Sequence, residues 1–161
     1  WNPCEFIESI GNNIETDYLI LISSDGRKAG YEIFKERIAE NLWPIYKSTP
    51  QLNNVKSGKN VIFYIAGKDK FAQQFIASAI IENLVTNKIL KPDPNQEFRE
   101  VLFYAKFKKL KMFKNPISIR DHINNLSFID MDRRKVYGLY FQGGVCKINK
   151  QSYDYIFERG N

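Results

Sequence analysis

The sequence predicts an α+β domain: a strongly bent sheet or small open β-barrel of five or six strands, flanked by three or four short helices. Three observations carry this expectation. Residues 60–66 and 99–110 alternate with period two, the pattern of half-buried strands. Tyr18-Leu19-Ile20-Leu21-Ile22 is apolar on both faces and belongs in the interior of a sheet. Between such runs lie short helical stripes, as at Tyr31, Phe34 and Ile38, spaced i, i+3 and i+7. A length of 161 residues suits one domain, and 43% hydrophobic residues exclude a disordered chain.

Taken in order, Trp1–Thr16 reads as an extension, with Phe6, Ile7 and Ile10 on one helical turn that Gly11-Asn12-Asn13 stops. The domain proper is expected over 17–161. Asp17–Ser24 is a strand ending in Ser23-Ser24-Asp25-Gly26, residues that suit either a helix cap or a ligand contact. Arg27–Glu40 is a helix. Pro44 forces the residue before it out of helical geometry, so the helix ends ahead of Trp43. That ring is expected either to turn outward at the junction or to enter the core.

Asn60–Ala66 is a strand with Val61, Phe63 and Ile65 on one face and Ile62, Tyr64 and Ala66 on the other. A turn at Gly67-Lys68-Asp69-Lys70 returns the chain along Phe71–Leu84. Residues 88–97, with Pro92 and Pro94, read as a loop. Arg99–Leu110 is a strand with Val101, Phe103, Ala105 and Phe107 on its apolar face. Tyr104 shares the opposite face with Lys106 and Lys108; these lysines, with Lys109 and Lys111, suit a solvated edge or phosphate contacts. Asn115-Pro116 carries helix-start signals, with Ile119, Ile123 and Leu126 as the stripe. Phe128–Lys135 is a loop containing Arg133-Arg134-Lys135. Val136–Ile148 holds a strand broken at Gln142-Gly143-Gly144, and Asn149 caps a final helix with Tyr153, Ile156 and Phe157 inward.

The net charge of +6 and an aromatic content of 14% admit a polyanion partner. No apolar run approaches the roughly 18 residues of a membrane span, so no membrane partner is expected. Cys4 and Cys146 have neither zinc-site spacing nor a disulfide framework, which points to a reducing, cytoplasmic compartment. The chain begins at Trp1 rather than Met, and a fragment of a longer protein with further domains is expected.

Signals of catalysis are missing from the sequence. Ser57-Gly58-Lys59 lacks the upstream glycines of a phosphate loop. There is no nucleophile elbow, and His122 is the single histidine available to either cysteine. Asp121, Asp130 and Asp132 have basic neighbours and read as surface pairs. No acidic pair with a strand lysine forms a nuclease core. A binding module without cofactor or metal is the expectation. If Trp43 and Tyr64 meet, they form an aromatic slot with lysines at its mouth, suited to a flat base on an anionic backbone.

With these residues in place, the chain resembles the EVE domain family, a PUA-like fold related to YTH domains, from about Asp17 to Glu158. The similarity rests on Tyr18–Ser24 with its polar turn, and on Leu42-Trp43-Pro44-Ile45-Tyr46-Lys47. It also rests on Val55-Lys56-Ser57-Gly58-Lys59-Asn60-Val61-Ile62-Phe63-Tyr64, where Lys59 replaces the family's usual Asp. Leu126–Ile129, Gly138–Gly144 and Tyr153–Ile156 complete it.

The resemblance implies recognition of a modified base, methylated above all, flipped into an aromatic cage. It implies a role in DNA as the specificity domain of a modification-dependent restriction protein. A YTH-like reader of modified RNA is the alternative within the fold. A small-molecule or protein-interaction domain with Trp43 in the core is the alternative outside it. By position, Trp43 is a cage wall, Tyr64 and Tyr104 the other walls, and Ser23, Ser24 and Asp25 the pocket edge, with Tyr46 close by. Lys47, Lys68, Lys70, Arg133, Arg134 and Gln142 are the expected backbone contacts. Stacking of about 1–3 kcal/mol per base can offset the few kcal/mol that extrusion costs, and a methyl group that fills an apolar gap adds about 0.8 kcal/mol.

Overall fold

The computed structural model describes residues 18–86 and 100–161. The expected extension over 1–16 and the loop over 88–97 lie outside the described residues. In chain order the elements are β1 (Tyr18–Ser23), α1 (Gly30–Glu40), β2 (Trp43–Tyr46), β3 (Asn60–Ile65), β4 (Gln74–Thr86), β5 (Val101–Ser118), α2 (Ile119–His122), β6 (Val145–Lys147) and α3 (Lys150–Gly160). The strands form one curled half-barrel sheet in the order β2-β5-β4-β3-β1-β6. Only β1 and β3 pair in parallel, after the crossover through α1; the other neighbours are antiparallel.

Both faces of β1 and β3 are buried, and residue alternation divides the core in two. Leu19 and Leu21 of β1, with Val61, Phe63 and Ile65 of β3, pack beneath α1 through Phe34. Ile20, Ile22, Ile62 and Tyr64 point the other way, against Phe75, Phe141, Leu126 and Ile156. The two-sided apolar run at 18–22 is explained by this position, between β3 and β6 in a covered sheet. The expected faces of β3 are those observed.

Four local expectations are corrected. Trp43 lies in a strand, not a loop, because β2 pairs with β5 from Trp43↔Ala105 to Tyr46↔Val101. Pro44 is tolerated there because β2 is an edge strand. Asn115-Pro116 does not start a helix: β5 runs on to Ser118 and re-pairs through Ile117↔Phe75. The residues between Met112 and Ile117 bulge out of the ladder, the place where a strand accepts proline. Residues 131–141 form two short 3-10 segments meeting at Val136, not a loop followed by a strand. The last strand is therefore confined to Val145–Lys147, and the return strand of the hairpin begins at Gln74 rather than Phe71.

The Trp43 indole is 2% exposed. It packs against Phe63 at 5.1 Å and against Phe34 and Phe107 at 6.2 Å, with the Arg37 guanidinium over it at 4.9 Å. Asn41, in the left-handed conformation at the end of α1, extends the sheet edge: its amide accepts from the Phe107 N–H at 2.9 Å and donates to the Phe107 carbonyl at 3.2 Å. At the C-terminus Asn149 caps α3 as expected, accepting from the Ser152 N–H at 2.9 Å.

Truncating a fully enclosed Trp leaves a cavity that aromatic neighbours cannot fill. Trp43→Ala is expected to lower unfolding free energy by about 3–5 kcal/mol in a urea titration. Burial on the opposite face pushes the Cys146 thiol up to about 12 from 9.0. The unfolded thiol ionises first, so its contribution to stability is complete below about pH 9 and lost as pH rises toward 12. Urea midpoints measured across that window should fall more steeply for the native chain than for Cys146→Ala.

Candidate nucleic-acid interface

An open cleft of about 910 Å3 lies on the Tyr64 side of the sheet. Its volume lies within the roughly 300–1,000 Å3 usual for ligand sites. The end of β3 supplies Tyr64, the turn beyond it Ala66, Gly67 and Gln73, the start of α2 Arg120, and the 3-10 segments Arg134, Lys135, Tyr137, Gly138 and Phe141. Ser24 and Gln142 sit on the rim. Among the described residues the lining carries three cations and no carboxylate. Such a wall favours anionic or acceptor-rich ligands.

The aromatic floor is built by packing. Tyr64 stacks on Phe141 at 4.3 Å and 17°, and both lean on Phe75. Burial pushes the Tyr64 phenol up, with Tyr137 adding to the shift, so Tyr64 stays protonated. Tyr137 is the ring with appreciable open surface, being half-buried while Tyr64 and Phe141 are buried. Its hydroxyl donates to Gln73 Oε1 and accepts from Arg120 Nε at 3.2 Å, and Arg120 Nε also donates to Gln73 Oε1 at 3.0 Å.

The rim is held by two turns that require glycine. Asp25 Oδ1 accepts from the Gly30 N–H at 2.8 Å, and a Cβ on Gly67, whose φ is +100, would come within 2.4 Å of that same carboxylate oxygen. Gly143, at φ +89, lies so close to Pro50 that a Cβ would meet its ring at 2.5 Å.

The expected slot between Trp43 and Tyr64 does not exist. Trp43 joins the Phe63 face and Tyr64 the opposite face, so the sheet itself separates them. The hollow beside Trp43 is only about 70 Å3, room for a few waters and not for a base. Tyr46 and Tyr104 pack together at the β2–β5 edge with Val101, both buried and away from the cleft. The Tyr46 hydroxyl accepts from Arg37 at 3.3 Å. Ser23 is fully buried and donates to the Gly30 carbonyl at 2.6 Å, and Asp25 holds the start of α1, so both serve the turn rather than the pocket.

Of the other expected residues, Tyr64, Ser24, Arg134 and Gln142 line the cleft. Lys68 lines a shallower adjoining hollow that shares Gly67, Gln73 and Arg120 with it. Arg133 is exposed on the same 3-10 segment as Arg134. Lys47 is exposed beside Glu100 at 4.0 Å, remote from the cleft lining. Lys70 reaches the Tyr31 and Phe71 rings at 5.5 and 5.3 Å, on the α1 side. Sequence reasoning missed Gln73, Arg120, Tyr137 and Phe141. Gln73 sits in the left-handed region at φ 61, a conformation with no sequence signature. Among the described residues no group of three or more His, Cys, Asp or Glu is placed to hold a metal ion.

The architecture was compared with solved structures. The N-terminal domain of Staphylothermus marinus McrB aligns with a TM-score of 0.57 and 11% identity, covering 89% of this chain and 94% of that one. Human THYN1, solved in complex with 5-methylcytosine-containing DNA, aligns with a TM-score of 0.55 and 10% identity over 89% and 97%. The fold is EVE-like, within the PUA-like architecture. Rpa0253 from Rhodopseudomonas palustris also aligns, with a TM-score of 0.51 and 14% identity over 89% and 92%. No family model and no curated protein matches the sequence. Among the described residues, no helix is long and apolar enough to cross a membrane.

Gly67→Ala sets a Cβ against a carboxylate and a strained φ at once. It is expected to cost about 1–3 kcal/mol, read as a lowered thermal midpoint, with loss of the Asp25–Gly30 bond visible as a shifted Gly30 amide resonance.

Proposed function

We propose that this domain binds DNA carrying a modified base, which is extruded from the duplex into the cleft bounded by Tyr137, Phe141 and Tyr64. The single observation that carries the reading is that cleft: an aromatic-floored hollow of nucleotide size with Arg120, Arg134 and Lys135 around it and no acidic residue in its wall. A base presents a π-face to the one ring with open surface, Tyr137, while phosphates meet the cations. The fold shared with THYN1, whose structure contains 5-methylcytosine DNA, supports DNA over RNA as the partner. We place the domain as a non-catalytic specificity module of a larger modification-dependent restriction protein, the role that the sequence resemblance implies.

The cage differs from the one expected from the sequence. Trp43 supports it from beneath, through Phe63 and β3, and does not touch the base. Ser24 and Gln142 line the cleft, and Lys68 extends the basic surface into the adjoining hollow.

The test is anisotropy titration with matched modified and unmodified oligonucleotides, as duplex DNA and as RNA, in more than one salt concentration. Modified duplex DNA is expected to bind most tightly. Tyr137→Ala should reduce that preference by roughly 1–3 kcal/mol, the stacking contribution of one base. Arg134→Ala should instead weaken binding to all duplexes alike and lower the salt slope by about one. Equal, weak binding to every oligonucleotide, unaffected by Tyr137→Ala, would transfer the cleft to a small molecule or a protein partner.

A further inference from the structure

The cleft contains a hydrogen-bonding head whose polarity is fixed by its own wiring. Gln73 is held rigidly: its backbone is left-handed, its N–H donates to the Ile65 carbonyl at 2.6 Å, and its carbonyl accepts from the Ile119 N–H at 3.0 Å. Its side-chain oxygen accepts from both Tyr137 and Arg120. Arg120 has no acceptor to offer, so the amide cannot be turned over without setting donor against donor. The oxygen is therefore the end facing the network, and the NH2 is the end left for a ligand.

Arg120 uses its Nε for this network, and its remaining guanidinium N–H groups are also donors. At this end of the cleft the Gln73 NH2 and the Arg120 guanidinium thus offer hydrogens only, while the Tyr137 hydroxyl is engaged by both residues. Where a base is read through buried polar groups, a like-for-like clash of donors is strongly disfavoured, because both partners lose water without gaining a bond.

Resting on the reading of the cleft as a base pocket, we propose that Gln73, locked by Arg120 and Tyr137, is a specificity-determining residue that selects a base edge with two adjacent acceptors. The O2 and N3 atoms of a cytosine present such an edge, and modification at C5 leaves it intact. N6-methyladenine carries a single N6–H, which lies on its Watson–Crick or its Hoogsteen edge while the methyl group occupies the other, so neither edge presents two adjacent acceptors. The domain is thus a reader of modified cytosine and discriminates against modified adenine.

The experiment uses the full chain and three duplexes of one sequence: unmodified, with a single 5-methylcytosine, and with a single N6-methyladenine. Gln73→Glu is the informative variant, since a carboxylate keeps both bonds from Arg120 and Tyr137 but removes the amide donors. Gln73→Met, with a matched thermal midpoint, serves if Gln73→Glu unfolds. The native chain should favour 5-methylcytosine over both other duplexes, and the variant should lower the ratio of 5-methylcytosine to N6-methyladenine by about tenfold toward one while leaving the ratio to unmodified cytosine unchanged. A native preference for N6-methyladenine, or an unchanged ratio of 5-methylcytosine to N6-methyladenine in both variants, would overturn the assignment of Gln73 while leaving the base pocket standing. No preference for either modification in the native chain would remove the base pocket itself, and this inference with it.

Discussion

The constraint on which the rest depends is that the sheet is covered on both faces at β1 and β3. A strand in such a sheet must send successive side chains into different compartments. In β3, Phe63 enters the compartment under α1 and Tyr64 the compartment under the 3-10 segments and α3. Every aromatic side chain nearby is thereby committed to one side. Trp43, opposite Ala105 on β5, falls in with Phe63 and Phe107 and becomes part of the wall that holds β3 in place. Tyr64 is left to floor an open cleft, where Phe141 and Tyr137 reach it from a segment some seventy residues later in the chain.

The cleft is stiff at its floor and polar at its rim. Its floor is stacked aromatic surface that the second core compartment supports from below. Its rim is drawn together by the local bond from Gly30 to Asp25, by the bonds from Arg120 and Tyr137 to Gln73 across distant segments, and by the close approach of the Gly143 turn to Pro50. Ser23 and Asp25 carry the polar chemistry that a sequence reader associates with a ligand, yet their bonds are internal, to the backbone of Gly30. The charged groups lining the cleft are instead the cations Arg120, Arg134 and Lys135.

Legibility varied with how local the determining interaction is. The alternation in β3, the two-faced apolar run of β1, the stripe of α1 and the Asn149 cap are short-range patterns, and each reads correctly from neighbouring residues. Asn115-Pro116 misleads because the same pair that opens a helix also fits a bulge, and β4 supplies the ladder that keeps Ile117 and Ser118 extended. Val136–Phe141 has strand-like composition, yet these residues cover one end of the sheet as a 3-10 segment. That misassignment hid Tyr137 and Phe141, the cleft's own aromatics.

The sequence by itself determined that this is an α+β domain with a covered central strand, a basic surface and more aromatic side chains than a minimal core needs. It also carried enough of the EVE pattern for the fold to be expected. Only the tertiary structure decided which aromatics face the cleft. Side-chain direction along one strand is a local property, but the meeting of two side chains from different elements depends on which side of the sheet each element crosses. That choice is made by the pairing of β2 with β5 and by the path of residues 131–141, and neither leaves a mark in the spacing of residues.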